Sequence, residues 1–267
     1  MNANDSQSNT PRNGETIIPI PECFRSRSRL FLSIDLIGST ALKQGRIIKE
    51  CRTGWRDPML EFYHSFQHLF AQKWCLANTI LNNLGRHDLD PPKLWKAAGD
   101  ELIYSQLMLD SYQVCLAVRA WIEAAKFFRN DLRNKFPSLD VKMTAWTASF
   151  PVINTEIVLE SDPNKVLSKN GTIRSNVLTS MFNKLNDYYS KQNPEKINAF
   201  LDFIGPSMDI GFRLCGLSSQ RQMPISVELA FILSSVQKNS KNNLDNLDDF
   251  SEPKLRYTGK KRTERCS

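Results

Sequence analysis

Two short apolar runs, each broken by an aspartate with a glycine within three residues, constrain this chain more than any other feature. The first is Leu30-Phe31-Leu32-Ser33-Ile34-Asp35-Leu36-Ile37-Gly38-Ser39-Thr40. The second is Leu94-Trp95-Lys96-Ala97-Ala98-Gly99-Asp100-Glu101-Leu102-Ile103-Tyr104. Both read as buried strands. An ionised carboxylate there is costly unless a cation or hydrogen-bond donors meet it, and the neighbouring glycine lets a backbone or a ligand come close. Asp35 and Asp100 therefore mark a site for divalent metal and phosphate.

The segments around these runs set the architecture. The strand at 29–36 is followed by apolar and aromatic residues at helical spacing over 57–84: Leu60, Tyr63, Phe66, Leu69, Phe70, Trp74 and Leu81. A polar link with Asp90-Pro91-Pro92 ends that helix. Strands at 93–98 and 101–107 form a hairpin with Asp100 at its tip. Asp110 caps the next helix, whose stripe is Val114, Ala117, Val118, Trp121, Ile122, Ala125, Phe128 and Leu132. Pro137 ends it, and a strand follows at 139–150. The order β, α, β, β, α, β predicts an α+β fold: a ferredoxin-like antiparallel sheet with helices packed on one face. Beyond it come an insertion at 151–200 with a helix at 175–190, a strand ending at Gly205-Pro206 and a helix at 207–217. A short strand at 224–227, a helix at 228–236, an Asn- and Asp-rich loop at 237–251 and a short strand at 255–257 complete the chain. The organisation expected is a disordered N-terminus at 1–21, one domain at 22–260 and a basic tail at 261–267.

Composition narrows the classes. At 267 residues, 41% hydrophobic and 24% charged, the chain fits a soluble globular protein. It has no apolar run of about 18 residues, and its polar start lacks the apolar core of a signal peptide. Six cysteines without a CxxC pair argue against a zinc knuckle or a disulfide framework, which points to a reducing cytoplasmic setting. The net charge of +7 gathers at the two ends and suits a triphosphate substrate; no nucleic-acid motif accompanies it, and neither nucleic-acid nor membrane binding is expected. His64 and His68 are four apart on a helix without a third metal ligand. Phe24 and Tyr104 are candidate base-stacking aromatics.

Three motifs, in order, resemble class III nucleotide cyclases: Phe31-Leu-Ser-Ile-Asp35-Leu-Ile-Gly-Ser-Thr40, Lys96-Ala-Ala-Gly-Asp100-Glu101 and Gly205-Pro-Ser-Met-Asp209-Ile-Gly-Phe-Arg213-Leu214. Leu255-Arg-Tyr-Thr-Gly259 is similar to the family's C-terminal strand. The likeness spans about 28–110 and 195–260. It implies the class III cyclase fold, a head-to-tail homodimer with composite sites, and cyclisation of a nucleoside triphosphate with loss of pyrophosphate. It further implies that Asp35, Asp100 and the carbonyl of Leu36 hold two divalent cations, Mn2+ or Mg2+. Ile37, Gly38, Ser39 and Thr40 would meet the β- and γ-phosphates, and Arg213 would stabilise the transition-state phosphate. Family purine cyclases commonly carry Asn, which holds the ribose, where this chain has Asp209; as a catalytic residue Asp209 would still accept from a ribose hydroxyl, but it adds negative charge near phosphate. Lys96 and Asp202 stand where the family reads the base. A donor and an acceptor meet the O4 and N3–H of uracil, an edge of cytosine or an edge of adenine, so the pair alone does not decide the base. The short chain with Asp-Ile-Gly-Phe-Arg as third motif resembles most the Pycsar pyrimidine cyclases of bacterial anti-phage defence. That likeness favours UTP, then CTP, with the cyclic product acting on a separate effector protein. A purine cyclase and a catalytically inactive nucleotide-binding sensor remain the alternatives.

Overall fold

The computed structural model describes residues 20–45, 54–87, 89–160, 177–190 and 199–240. Strand β1 (Arg27–Ile37) is covered on both faces, which explains its near-continuous apolar run. Leu30, Leu32, Ile34 and Leu36 point to one side, and Phe31, Ser33 and Asp35 to the other. After the short α1 (Ser39–Lys43) comes α2 (Arg56–Asn83), then the hairpin β2 (Lys93–Ala98) and β3 (Glu101–Leu107). Helix α3 (Ser111–Lys135) and strand β4 (Asp140–Phe150) follow. The sheet order β2-β3-β1-β4, antiparallel throughout, is the ferredoxin-like order expected.

The first face buries α2 and α3. Phe62, Phe66, Phe70, Trp74 and Leu81 recur at helical spacing along α2, and the three phenylalanines meet Trp121 or Phe128 of α3. Trp121 receives Phe66 and Phe70 edge-on, both at 4.8 Å. Asp110 caps α3 as expected, accepting from the Tyr112 amide at 2.6 Å and the Gln113 amide at 3.3 Å. Tyr104 packs into this core against Phe70 and Trp121 and is 6% exposed, so it is no base platform. Phe24 sits against Phe182, outside the sheet core.

The second face differs from the expectation of helices on one side only. Here β5 (Thr155–Glu160) pairs with β6 (Ala199–Ile204), and α5 (Pro206–Leu217) lies across β4. Phe31 stacks on Trp146 at 5.3 Å and meets Phe203 edge-on at 5.1 Å. Gly211 makes the close crossing possible: a Cβ there would lie 2.2 Å from the Trp146 indole. Arg27 and Arg29 both pair with the buried Glu156, at 3.1 and 2.8 Å, and Tyr189 of α4 (Val177–Ser190) donates to the same carboxylate at 2.7 Å. This network ties β5 and α4 to β1.

Helix α6 (Val227–Ser240) returns to the first face through Leu229, Ile232 and Leu233. It runs past residue 236, where the sequence suggests a loop. The expected strand at 224–227 reduces to one bridge, Ile225 to Ala145. The expected loop beyond 240, the strand at 255–257 and the basic tail lie outside the described residues, as do residues 1–19 of the expected disordered segment. None of the described helices is long and apolar enough to cross a membrane.

Candidate active site

Strand register brings the two acids together. The β2–β3 turn, Gly99-Asp100, abuts the end of β1, where the Leu36 amide donates to the Asp100 carbonyl at 3.0 Å. Asp35 lies opposite Glu101 on one side and Lys142 on the other. Each carboxylate already faces a lysine. Lys142 Nζ is 2.9 Å from Asp35 Oδ2, and Lys43 Nζ is 4.0 Å from Asp100 Oδ2. The hydrogen bond to Asp35 holds the Lys142 ammonium above its ordinary pKa despite partial burial. The Ser39 hydroxyl donates to Asp100 Oδ2. Gly38 turns the chain at φ 90°, and a Cβ there would press within 2.9 Å of the Ser138 carbonyl. Ile37 is half-buried and Thr40 exposed beside this turn.

Four neighbours of the acids escape motif reading. Glu101 accepts from the Ser33 hydroxyl at 2.6 Å. Tyr63, read as core, donates its hydroxyl to the Gly99 carbonyl; burial and then the Asp100 charge raise its pKa. Lys142 becomes visible only through β1–β4 register, and Lys43 only through the position of α1. Glu101, adjacent to Asp100, is the one a local signal could have found.

Among the described residues no three His, Cys, Asp or Glu side chains converge as a closed metal cage. The acid pair instead fits hard divalent cations that take one or two carboxylates and complete their shell with water and substrate phosphate. The lysines against Asp35 and Asp100 register the same demand for positive charge.

The remaining predicted residues form a second group. Lys96 of β2 and Asp202 of β6 meet at 2.9 Å, so the expected base-reading pair is assembled within one chain. Asp209 and Arg213 lie one turn apart on α5. Met208, Gly211 and Cys215 turn toward the sheet, with Cys215 Sγ 3.7 Å from Ser33 Oγ. Asp209 and Arg213 therefore occupy the outward side of the helix, and both are exposed.

No family model matches the chain, and no curated protein matches it. Solved structures do resemble it. The adenylyl cyclase CyaB from P. aeruginosa is 14% identical, covers 79% of this chain and 83% of its own, and has a TM-score of 0.42. The guanylate cyclase domain of RhGC from Catenaria anguillulae, in complex with GTP, is 11% identical over 78% and 84% of the two chains, with a TM-score of 0.41. The dimeric guanylyl cyclase domain of the RhoGC fusion protein from Blastocladiella emersonii is 12% identical over 79% and 86%, with a TM-score of 0.39. Likeness at this level says nothing of what this chain does.

Proposed function

We propose that this protein is a metal-dependent nucleotidyl cyclase that acts as a homodimer. The observation that carries the reading is the convergence of Asp35 and Asp100 from separate elements at one end of the sheet, together with Lys96 paired to Asp202 and an outward face on α5 that carries Asp209 and Arg213. In the reaction the ribose 3′-hydroxyl gives up its proton to water as its oxygen attacks the α-phosphorus, the bond from that phosphorus to the oxygen bridging to the β-phosphate breaks, and pyrophosphate leaves. Divalent cations, when bound, supply Lewis acidity at the hydroxyl and neutralise the triphosphate. Asp35, Asp100 and the Leu36 carbonyl would hold them. The turn Ile37-Gly38-Ser39-Thr40 borders the phosphates, and Arg213 stabilises charge as it builds on the α-phosphate. Because Arg213 points away from the sheet that carries Asp35 and Asp100, a second chain supplies it to each acid pair. Exposed Ile204, Ile210, Phe212 and Leu217 around it give that second chain an apolar surface to cover.

Lys96 and Asp202 together offer a donor and an acceptor, and we favour uracil, then cytosine, as the base. The cyclic nucleotide then serves as a cytoplasmic second messenger for a separate effector protein in anti-phage defence. A purine substrate is the alternative base choice. A second reading, nucleotide binding without turnover, draws on Asp209, whose carboxylate brings negative charge to the phosphate side of the site. Incubating the protein with ATP, GTP, CTP and UTP plus manganese, with mass spectrometry of the products, separates these readings. Cyclic UMP is expected; binding without any cyclic product would favour the second reading.

A further inference from the structure

Strand β2 contains one irregularity, and it falls beside the proposed base-reading pair. Leu94 opposes Tyr104 and Lys96 opposes Ile103, so Trp95 is an extra residue with no partner across the ladder. Such a bulge turns two consecutive side chains toward one face of a sheet. Ile103 belongs to the second face, and Trp95 packs there against Phe31 and Phe203 at ring distances of 5.4 and 5.0 Å. Trp95 and Lys96 thus share a face that regular alternation would deny them. The Lys96 ammonium lies over the Trp95 ring, 4.4 Å from its centroid, while its other side meets Asp202.

We infer that Trp95 is a positioning residue for base selection: the bulge seats its indole beneath Lys96 and fixes the ammonium against Asp202. A lysine has many rotamers, and a half-exposed one holds no single direction by itself. The indole face, anchored in the aromatic cluster, removes that freedom through packing and cation–π attraction. A fixed donor discriminates between base edges; a free one bonds to whichever acceptor is near. This inference rests on the cyclase reading for its substrate but not for its geometry.

Two measurements on the full chain test it, using Trp95→Leu and the conservative Trp95→Phe. The first is NMR of the Lys96 side-chain CH2 protons in the protein without nucleotide. An upfield ring-current shift is expected, lost in Trp95→Leu and largely kept in Trp95→Phe. An unchanged Lys96 signal in Trp95→Leu would overturn the inference whether or not the protein cyclises anything. The second is kcat/KM for all four triphosphates. The ratio of best to second-best substrate should fall about two- to fivefold in Trp95→Leu, the scale of a partly exposed cation–π contact, and recover in Trp95→Phe. An equal loss for every triphosphate would mark Trp95 as structural only and overturn it. If no triphosphate turns over, the cyclase reading fails, and the same ratio is read from dissociation constants.

Discussion

Asp35 and Asp100 are held from several directions: one faces Lys142, the other Ser39 and Lys43, and both sit at the ends of paired strands. Arg213 is held by nothing among the described residues, although it lies on a helix packed against the same sheet. The contrast separates what one chain completes from what it leaves open. At the acid end, strand register and α1 set a lysine against each aspartate, at 2.9 and 4.0 Å. The arginine end presents its guanidinium outward, with no hydrogen-bond or ion-pair partner among the described residues.

The contrast breaks most sharply at the acids. Asp35→Ala and Asp100→Ala should each lower the rate of cyclic product on the order of a thousandfold or more, since cation binding supplies several kcal/mol and each 1.36 kcal/mol is tenfold. Initial rates by mass spectrometry at saturating manganese check this, and a loss below tenfold would remove these residues from the metal site. Arg213→Ala should cost about a hundred- to a thousandfold in kcat, the scale of losing one preorganised transition-state donor. Its circular dichroism and Tm should match the parent, because the exposed side chain makes no hydrogen bond, ion pair or ring contact among the described residues.

The acid pair was legible in sequence because strand alternation and glycine punctuation are local signals. The sheet order also followed from local patterns, since six elements of the right type in the right order leave few topologies. Lys142 was not legible: its meeting with Asp35 depends on β1–β4 register across more than a hundred residues. The covering of the second face was hidden for a related reason. The segment at 155–160 reads as insertion until β6 pairs with it, and Glu156 declares its role only once Arg27 and Arg29 reach it. Tyr104 reads as a base-stacking candidate because an aromatic residue on a strand does not announce which face it takes, and the structure turns it into the first-face core.

Smaller effects sharpen the comparison on the side of stability. Gly211→Ala drives a methyl into the Trp146 indole and should destabilise by about 1–3 kcal/mol as overpacking does, read as a lower denaturant midpoint. Arg213, two residues away, should show no such loss, which would separate the sheet-facing from the outward side of α5. Asp110→Asn keeps a capping side chain but removes the charge that meets Arg86 and the helix N-terminus, and should cost up to about 1 kcal/mol at neutral pH. Burial opposes the Asp110 charge, but the Arg86 hydrogen bond and the Tyr112 and Gln113 amides outweigh it and lower the pKa. A lowered folded pKa gives stability that is present above the unfolded value of about 3.9 and lost as pH falls through the folded one. The difference between wild type and Asp110→Asn should therefore shrink below about pH 4.

The most direct test is complementation. Asp100→Ala and Arg213→Ala are each expected to be inactive alone; mixed in equal amounts with free subunit exchange, they should regain about a quarter of the wild-type rate, because half the dimers are mixed and each has one whole site. No cyclic product from the mixture, with mixed dimers demonstrated by mass spectrometry, would contradict a site shared between two copies.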